Sequence, residues 1–358
     1  MEWDGTQDLY SSAVFDKLFP LAASFKVRLV TANRPDYPGA TPLSDTERKQ
    51  LDDITHTAKE DPESAAKALL EHIKQDSKKA YDFLVEFVSK ESIPIEGGVI
   101  VAGWSFGAAT ILGLLANAKT FASKEVDLRS YIKHFVLYDA PSHLFGYQPP
   151  PNVYNPFFDP HLSAGEILKI FPRWVSGYHV HAEDLTTLGC GDTPAHPLPT
   201  ILSMDPADLQ RCVEGGPVLP GGADERVINL GVQLGVFARL KEAAIYLDTS
   251  KEEDLHPGNR WDSVKMTHVW CDRSPWEIPW GVVCLQAELD ESKQAGSRKA
   301  REVDMCHWDQ PKQALMGLLS GLYSRVPKVM VPQQIHTVSE HVTVRKKRVS
   351  HVHLSAKL

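Results

Sequence analysis

Residues 99–116 read Val99-Ile100-Val101-Ala102-Gly103-Trp104-Ser105-Phe106-Gly107-Ala108-Ala109-Thr110-Ile111-Leu112-Gly113-Leu114-Leu115-Ala116. The apolar run at the start predicts a buried β-strand, and the helix-forming residues at the end predict an α-helix. A G-x-S-x-G pentapeptide lies between them, at residues 103–107. A sharp turn in this context pushes the serine out of the sheet, and the flanking glycines let the strand and helix backbones approach closely. The sequence therefore predicts a nucleophile elbow with Ser105 as candidate nucleophile; the alternative is a glycine-rich turn without chemistry.

A candidate base for Ser105 is found near the end of the chain. In chains with such an elbow, the acid and the histidine follow the nucleophile in that order, on loops at strand ends. His307 follows the segment 301–305 and precedes a predicted closing helix over residues 311–323. From there it could reach Ser105 across the carboxyl edge of a parallel sheet. The chain has 15 histidines, so the alternative is a surface histidine in a loop.

Three further segments resemble the α/β-hydrolase superfamily. Residues 27–42 resemble the strand and the R-x-x-Y-P-G-S-T-P turn of fungal members, and residues 136–141 look like the strand that follows the elbow helix. Residues 306–309 are similar to a shortened form of the family's N-H-x-x-W-D segment. The resemblance covers about residues 1–323 and looks most like hydrolases of fungal secondary-metabolite pathways, including those for host-selective toxins. It implies an α/β fold with a doubly wound, mostly parallel sheet and an inserted, mainly helical cap.

The acid of the catalytic relay has two candidates, Asp139 and Asp272. The resemblance places the acid after the strand that ends near Cys271, where the most natural register gives Ser274 and Asp272 lies two residues earlier. Asp139 ends the preceding strand, where other superfamily members carry the acid. Either carboxylate would fix the tautomer of the histidine and stabilise its protonated form. An aspartate at a strand end is also a common turn residue. Both assignments stay open, with Glu277 as a third candidate.

The oxyanion of a tetrahedral intermediate needs two backbone N–H donors. One comes from the residue after the nucleophile, here Phe106. The resemblance implies a second donor from an early turn, for which Asp4-Gly5-Thr6 is the nearest match, and we assign Gly5 to that role. Trp104, beside the nucleophile, is a candidate for the same oxyanion or substrate-binding region. The chain begins where the family would already have supplied its first strands, so we expect either a chain that is naturally short at its amino end or one whose beginning is missing.

Composition and charge limit the classes of protein. With 358 residues, of which 42% are hydrophobic, the chain can bury a large core. A net charge of −8 argues against a nucleic-acid partner. The five cysteines include no C-x-x-C pair and predict free thiols in a reducing compartment. We expect no cofactor and no metal, since His179 and His181 lack a third ligand at a fixed spacing.

Helix and strand patterns alternate along the chain, as a doubly wound sheet requires. Strands are predicted over residues 25–31, 132–138 and 265–271 in addition to the elbow strand, and a long helix over residues 62–91. The pattern breaks between about residues 142 and 257, where an insert separates two neighbouring strands of the sheet. The predicted domain bounds are residues 1–141 and 258–323 for the two parts of the core, 142–257 for the cap, and 324–358 for a C-terminal tail.

The predicted cap is rich in aromatic residues and in glycine and proline. Its aromatic residues would line a pocket for an apolar or aromatic substrate, or else form the core of the cap itself. Two glycine- and proline-rich clusters within residues 215–222 predict a flexible loop that could gate the pocket.

Targeting signals are few. Residues 99–118 carry no charge, but a buried strand followed by a buried helix explains this run, so we predict no membrane span. The acidic amino terminus does not resemble a signal peptide. The last three residues, Ala356-Lys357-Leu358, resemble the S-K-L peroxisomal signal. We expect a peroxisomal or otherwise cytoplasmic protein.

Together these features predict a serine hydrolase that cleaves an ester, thioester or lactone of a small hydrophobic acyl substrate. A serine at the elbow disfavours the epoxide-hydrolase and dehalogenase chemistries of the superfamily, which need a carboxylate nucleophile. One alternative passes the acyl group to an alcohol or amine rather than to water. The other is a non-catalytic member that only binds a ligand.

Overall fold

The computed structural model of the chain describes residues 12–37, 39–121, 126–182, 185, 188, 197–247, 261–294 and 298–308. In this part, four β-strands form one sheet, namely β1 (Val99–Trp104), β2 (Ile132–Tyr138), β3 (Lys265–Cys271) and β4 (Val303–Trp308). The strands lie in the order β1-β2-β3-β4, and every neighbouring pair is parallel. The predicted α/β class is therefore confirmed as an all-parallel sheet covered by helices.

The register brings the ends of the strands together at one edge. Trp104, Tyr138, Val269 and Cys306 are aligned in one row across the sheet. In the next row, Trp270 pairs with His307, and the same level is reached in the chain by Ser105 and Asp139. Because all strands are parallel, this row marks their common carboxyl edge, where ligands bind in open α/β sheets.

The described part of the chain contains ten α-helices. They are α1 (Phe19–Ala22), α2 (Asp45–Glu60), α3 (Pro62–Lys90), α4 (Ala108–Asn117), α5 (Leu128–Tyr131), α6 (Ala164–Val175), α7 (Pro206–Cys212), α8 (Ala223–Gln233), α9 (Val236–Ile245) and α10 (Glu277–Ser292). Of these, α4, α5 and α10 pack on the strands. Short 3₁₀ turns include Ser12–Leu18, Ser105–Gly107 and Ser142–Phe145.

Local sequence explains the two long helices. Ser44 and Glu47 form a capping box at the start of α2, in which each side chain binds the other residue's backbone N–H. Asp61 caps α3 by accepting from the N–H of Ser64, and Pro62 occupies the first helical position. The long helix predicted over residues 62–91 is thus confirmed, with Lys90 as its last residue.

The main hydrophobic core lies on one face of the sheet. It joins residues of α3, α4, α8, α9 and α10 to the strands, and includes Leu112, Phe135, Phe237 and Leu285. A much smaller cluster of Val136, Val269 and Cys271 lies on the other face. Helices α8 and α9 fall within the predicted cap, yet they pack into this core, α9 directly against α4. The predicted cap as a separate layer stays a prediction.

Two of the predicted strands, 132–138 and 265–271, agree with the structure at both ends. The strand predicted over residues 25–31 is wrong, because this segment has no strand structure. Residues 25, 27, 29 and 31 are half-buried and alternate with exposed residues, so the segment does have one more buried side. It pairs with none of the four described strands, however, and a strand needs the hydrogen bonds of a neighbour.

Within the described residues, we find no helix long and apolar enough to cross a membrane. The uncharged run of residues 99–118 consists of β1, the turn at Ser105–Gly107 and α4, as expected. Gly5, the closing helix predicted over residues 311–323 and the carboxyl-terminal tripeptide lie outside the described residues. Those assignments stay predictions.

Candidate active site

Ser105 lies at the bend between strand and helix. Strand β1 ends at Trp104, one 3₁₀ turn covers Ser105–Gly107, and α4 begins at Ala108. The backbone of Ser105 has φ +50°, in the left-handed region. Non-glycine residues rarely adopt this conformation, and those that do are concentrated at functional sites. The bend has the geometry that a nucleophile elbow requires.

The two glycines of the pentapeptide play different parts. A Cβ atom on Gly103 would lie 2.4 Å from the carbonyl oxygen of Gly107, so the absence of a side chain at 103 lets the turn fold back on the strand. At Gly107 the nearest atom to such a Cβ is Nη1 of Arg34, at 3.8 Å. Only the first glycine is therefore required by close backbone approach.

Phe106 carries the first predicted oxyanion donor. Its amide immediately precedes α4, where backbone N–H groups have no acceptor within the helix. Its ring packs edge-on against Phe237 at 6.3 Å and lies under the guanidinium of Arg34 at 5.4 Å. Arg34 is held by Asp224, whose Oδ2 also accepts from the hydroxyl of Tyr37. This network fixes the segment of Arg34 and Tyr37 against α8 and against the ring of Phe106.

Trp104, the other residue assigned beside the nucleophile, packs edge-on against Phe15 with ring centroids 5.4 Å apart. The contact attaches the turn Ser12–Leu18 to the carboxyl edge of β1. This places an aromatic pair next to Ser105.

His307 and Asp272 lie close together. Nε2 of His307 is 3.4 Å from Oδ2 of Asp272, and the histidine side chain is 9% exposed. The ring of Trp270 packs on the imidazole at 4.6 Å. His307 was expected on a loop after the last strand, but it lies within β4, paired with Trp270. Of the two acids left open by the sequence, Asp272 is the one in contact with His307.

Asp139 faces a different partner. Its Oδ1 accepts from the backbone N–H of Cys271 at 2.8 Å, and its Oδ2 accepts from the hydroxyl of Ser274 at 3.0 Å. Burial raises the pKa of Asp139 to about 6. The backbone of Asp139 has φ +46°, so the residues that follow β1 and β2 are both in the left-handed region.

The residues bound by Asp139 are the two ends of a tight turn. The N–H of Ser274 donates to the carbonyl of Cys271 at 3.3 Å, which closes a β-turn with Asp272 and Arg273 in its centre. From outside, the N–H of His179 donates to the carbonyl of Arg273. The imidazole of His181 donates to the carbonyl of Ser274 at 2.8 Å.

The two histidines considered as metal ligands therefore bind backbone carbonyls. Nε2 of His179 donates to the carbonyl of Trp174 at 2.9 Å. Burial lowers the pKa of His179 and of His181, so both favour the neutral form. They attach the insert to the turn that carries Asp272.

Ser105 and His307 are at the same level of the sheet but on different strands. Three strand spacings separate β1 from β4, which is about 14 Å between backbones. Among the described residues, we find no hydrogen bond to the hydroxyl of Ser105. The structure thus brings His307 and Asp272 together and leaves the predicted nucleophile apart from them.

A second histidine and carboxylate pair was missed by the sequence reasoning. Nδ1 of His143 lies 3.7 Å from Oε1 of Glu277, which also accepts from the amide of Asn155 at 3.0 Å. Both ring nitrogens of His143 are buried and make no hydrogen bond in the described part of the chain. Its ring packs on Phe237, which also contacts Phe106. The sequence feature that could have revealed this pair is the position of His143, four residues after Asp139 and so shortly after the end of β2.

Several aromatic residues of the insert pack on one another. Phe157 and Phe171 have ring centroids 4.2 Å apart, and Phe171 lies 5.9 Å from Trp174. The two phenylalanines are half-buried, and both roles expected for these aromatic residues stay predictions.

The glycine-rich loop of the insert borders a cleft of about 800 Å³. Residues 214–222 line one side, and Asp36, Tyr37 and Arg48 line the other. Tyr37 joins this cleft to Asp224 and Arg34, and hence to the ring of Phe106. The lining residues of this cleft do not include Ser105 or Phe106, so the role of the loop as a gate to the candidate site stays a prediction.

No protein-family model, curated protein or solved structure matches this chain. The family expected from the sequence therefore stays a prediction.

Proposed function

We propose that this chain is a serine hydrolase of the α/β-hydrolase type, which cleaves an ester, thioester or lactone of a small hydrophobic compound. The observation that carries the proposal is the backbone of Ser105, with φ +50° between a parallel strand and a helix. A strained turn of this kind raises the serine above the sheet, at the edge where substrates bind.

The chemistry follows from the residues at this edge. Oγ of Ser105 attacks the substrate carbonyl while a histidine accepts its proton, and the amide of Phe106 donates to the oxyanion. The order of residues along the chain assigns the base to His307, and the 3.4 Å contact with His307 assigns the orienting role to Asp272. Because Nε2 of His307 lies nearest Asp272, the proton from Ser105 passes to Nδ1. Collapse of the intermediate breaks the bond to the leaving oxygen or sulfur, which takes the proton from the histidine and departs as alcohol or thiol. Water then attacks the acyl-enzyme and gives a proton to the same histidine, which returns it to Ser105 as the acid is released.

The separation between Ser105 and His307 has a mechanistic consequence. A nucleophile and its base must come within about 3 Å, although this contact is often long before substrate binds. We therefore expect the end of β4 to move toward Ser105 when substrate occupies the site. Transfer of the acyl group to an alcohol or amine would use the same acyl-enzyme.

A non-catalytic, ligand-binding role is the second candidate function. The specific observation in its favour is the distance of three strands between Ser105 and His307. In that case the elbow would be retained as structure, and Ser105 would not be activated.

Labelling with a fluorophosphonate probe separates the two candidates, because only an activated serine reacts quickly. The probe should label the unmodified protein and not Ser105→Ala, and His307→Gln should label much more slowly. Ser142→Ala is a matched control, because this serine follows the neighbouring strand β2 at the same edge. Absence of labelling in the folded protein would reject the hydrolase proposal and leave the binding role.

A further inference from the structure

The two aspartates that the sequence left as alternatives are linked by the turn of residues 271–274. Asp272 is inside the turn and faces His307, at 3.4 Å. Asp139 is outside it, at the end of β2, and binds the first and last residues of the turn with its two carboxylate oxygens. The two side chains are therefore parts of one arrangement.

The contacts of Asp272 do not fix its own position. Its Oδ2 faces His307, whereas its Oδ1 is buried and makes no hydrogen bond in the described part of the chain. The conformation of the turn therefore decides where the carboxylate points. The turn is held from the core side by Asp139 and from the insert side by His179 and His181.

We infer that Asp139 is a positioning residue, which holds the turn of residues 271–274 so that Asp272 faces His307. The inference rests on the proposed function, since it gives Asp139 a role in the reaction through Asp272. Asp139 does not need to touch the histidine or the substrate for this role. Its carboxylate is committed to two donors, the N–H of Cys271 and the hydroxyl of Ser274.

The chemistry of the two partners favours an ionised carboxylate. Both partners are donors, and a carboxylate is an acceptor at both oxygens, whereas a protonated carboxyl group has one O–H donor. An asparagine in place of Asp139 could still accept from the N–H of Cys271 with its oxygen, and its NH₂ group could donate to the hydroxyl of Ser274, which would then act as acceptor. Both bonds would, however, be neutral rather than charge-assisted, and charge-assisted bonds are roughly twice as strong. Asparagine also tolerates the left-handed backbone found at this position. Asp139→Asn therefore weakens the clamp while preserving the bend.

A double-mutant cycle on the rate of fluorophosphonate labelling tests this role. Asp139→Asn should lower the rate about tenfold in the unmodified background, as expected when bonds to a charged acceptor are replaced by neutral ones. In the Asp272→Asn background, the same substitution should have little further effect, because the residue through which it acts is already disabled. Equal losses in the two backgrounds would overturn the inference, since a general structural defect acts in both.

Variants at Ser274 supply an independent measurement if Asp139→Asn folds poorly. Ser274→Ala removes the hydroxyl donor and should slow labelling, whereas Ser274→Thr keeps the hydroxyl and should retain most of the rate. Asp205→Asn is a matched control, because Asp205 likewise accepts from a backbone N–H, at the start of α7, and it should leave the rate unchanged. Equal rates for the alanine and threonine variants would contradict the role of Asp139. An unmodified protein that does not label would reject the proposed function itself.

Discussion

Ser105 and Asp139 follow neighbouring strands, and both have a positive φ although neither is glycine. Such conformations cost on the order of 1–3 kcal/mol each and persist where the surrounding structure holds them. At Ser105 the close approach of Gly103 and Gly107 supplies that support. At Asp139 the support comes from the two hydrogen bonds to the turn on β3.

Alanine substitutions should distinguish the structural roles of Gly103 and Gly107. Gly103→Ala would place a Cβ 2.4 Å from a backbone oxygen, and we expect a loss of about 1–3 kcal/mol in the free energy of unfolding, as for other overpacked sites. Gly107→Ala meets only ordinary contact at 3.8 Å and should be tolerated. Urea unfolding measures both variants. Equal losses would show that the turn does not fold back on β1 as described.

The pKa of Asp139 predicts a dependence of stability on pH. Burial raises this pKa from 3.8 to about 6, so the folded protein binds more protons than the unfolded chain between these values. The contribution of Asp139 to the free energy of unfolding must therefore fall as pH rises from about 4 to about 6. The fall should be on the order of 2 kcal/mol, since one pKa unit corresponds to about 1.4 kcal/mol.

Asp139→Asn provides the reference, because an amide does not titrate in this range. The free energy of unfolding of the unmodified protein minus that of the variant should decrease between pH 4 and pH 6 and stay constant above pH 7. A difference that rises over this window would mean that the pKa is lowered in the fold rather than raised.

The choice between the two aspartates shows a limit of sequence reasoning at this scale. Ser105, His307 and both aspartates could be selected from their positions after apolar runs. The partner of His307 could not, because it depends on how far each strand extends past the common row. Strand β3 continues two residues beyond Val269. This extension places Asp272 beside the end of β4, whereas Asp139 binds the first and last residues of the turn.

Helices α9 and α10 are joined by a buried ionic network centred on Glu288. Its carboxylate accepts from Nζ of Lys241 at 2.6 Å and from the hydroxyls of Tyr147 at 2.6 Å and Tyr246 at 2.8 Å. The side chain of Lys241 is 7% exposed. This network joins α9 to α10, and α10 packs on β3 and β4.

Glu288→Gln should destabilise the fold by about 3–5 kcal/mol, because it leaves the charge of Lys241 buried without a counter-charge. Asp290→Asn is a matched control on the same helix. Asp290 pairs with Lys293, whose side chain is 70% exposed, and loss of such a pair should cost less than about 1 kcal/mol. Thermal unfolding measures both. Similar midpoints for the two variants would contradict the burial of Lys241.

Elements with long apolar periodicity were predictable, and those that depend on a neighbour were not. Strands β2 and β3 are short segments rich in apolar and aromatic residues, and α3 has a cap and a proline at its start, so their bounds follow from the sequence. The segment 25–31 alternates between half-buried and exposed residues but pairs with none of the described strands. Residue His307 was expected after a strand, and the pairing of β4 with β3 extends that strand through it.

The described strands of the molecule form a single parallel sheet. Its carboxyl edge carries every predicted catalytic residue that lies within the described part of the chain. The alternation of helix and strand patterns predicted this class of fold. The role of the insert was harder to predict, because α8 and α9 carry apolar faces that could cover either a substrate pocket or α4. The packing of α9 on α4 decides in favour of the core for that part.

The proposed hydrolase activity requires Ser105 to be an activated nucleophile on a strained turn. Peptide mapping by mass spectrometry after brief reaction with a fluorophosphonate tests this requirement. We expect one phosphonate adduct per chain, on the peptide that contains Ser105, and no adduct after unfolding in urea. A folded protein without an adduct, or with its adduct on another residue, would contradict this requirement.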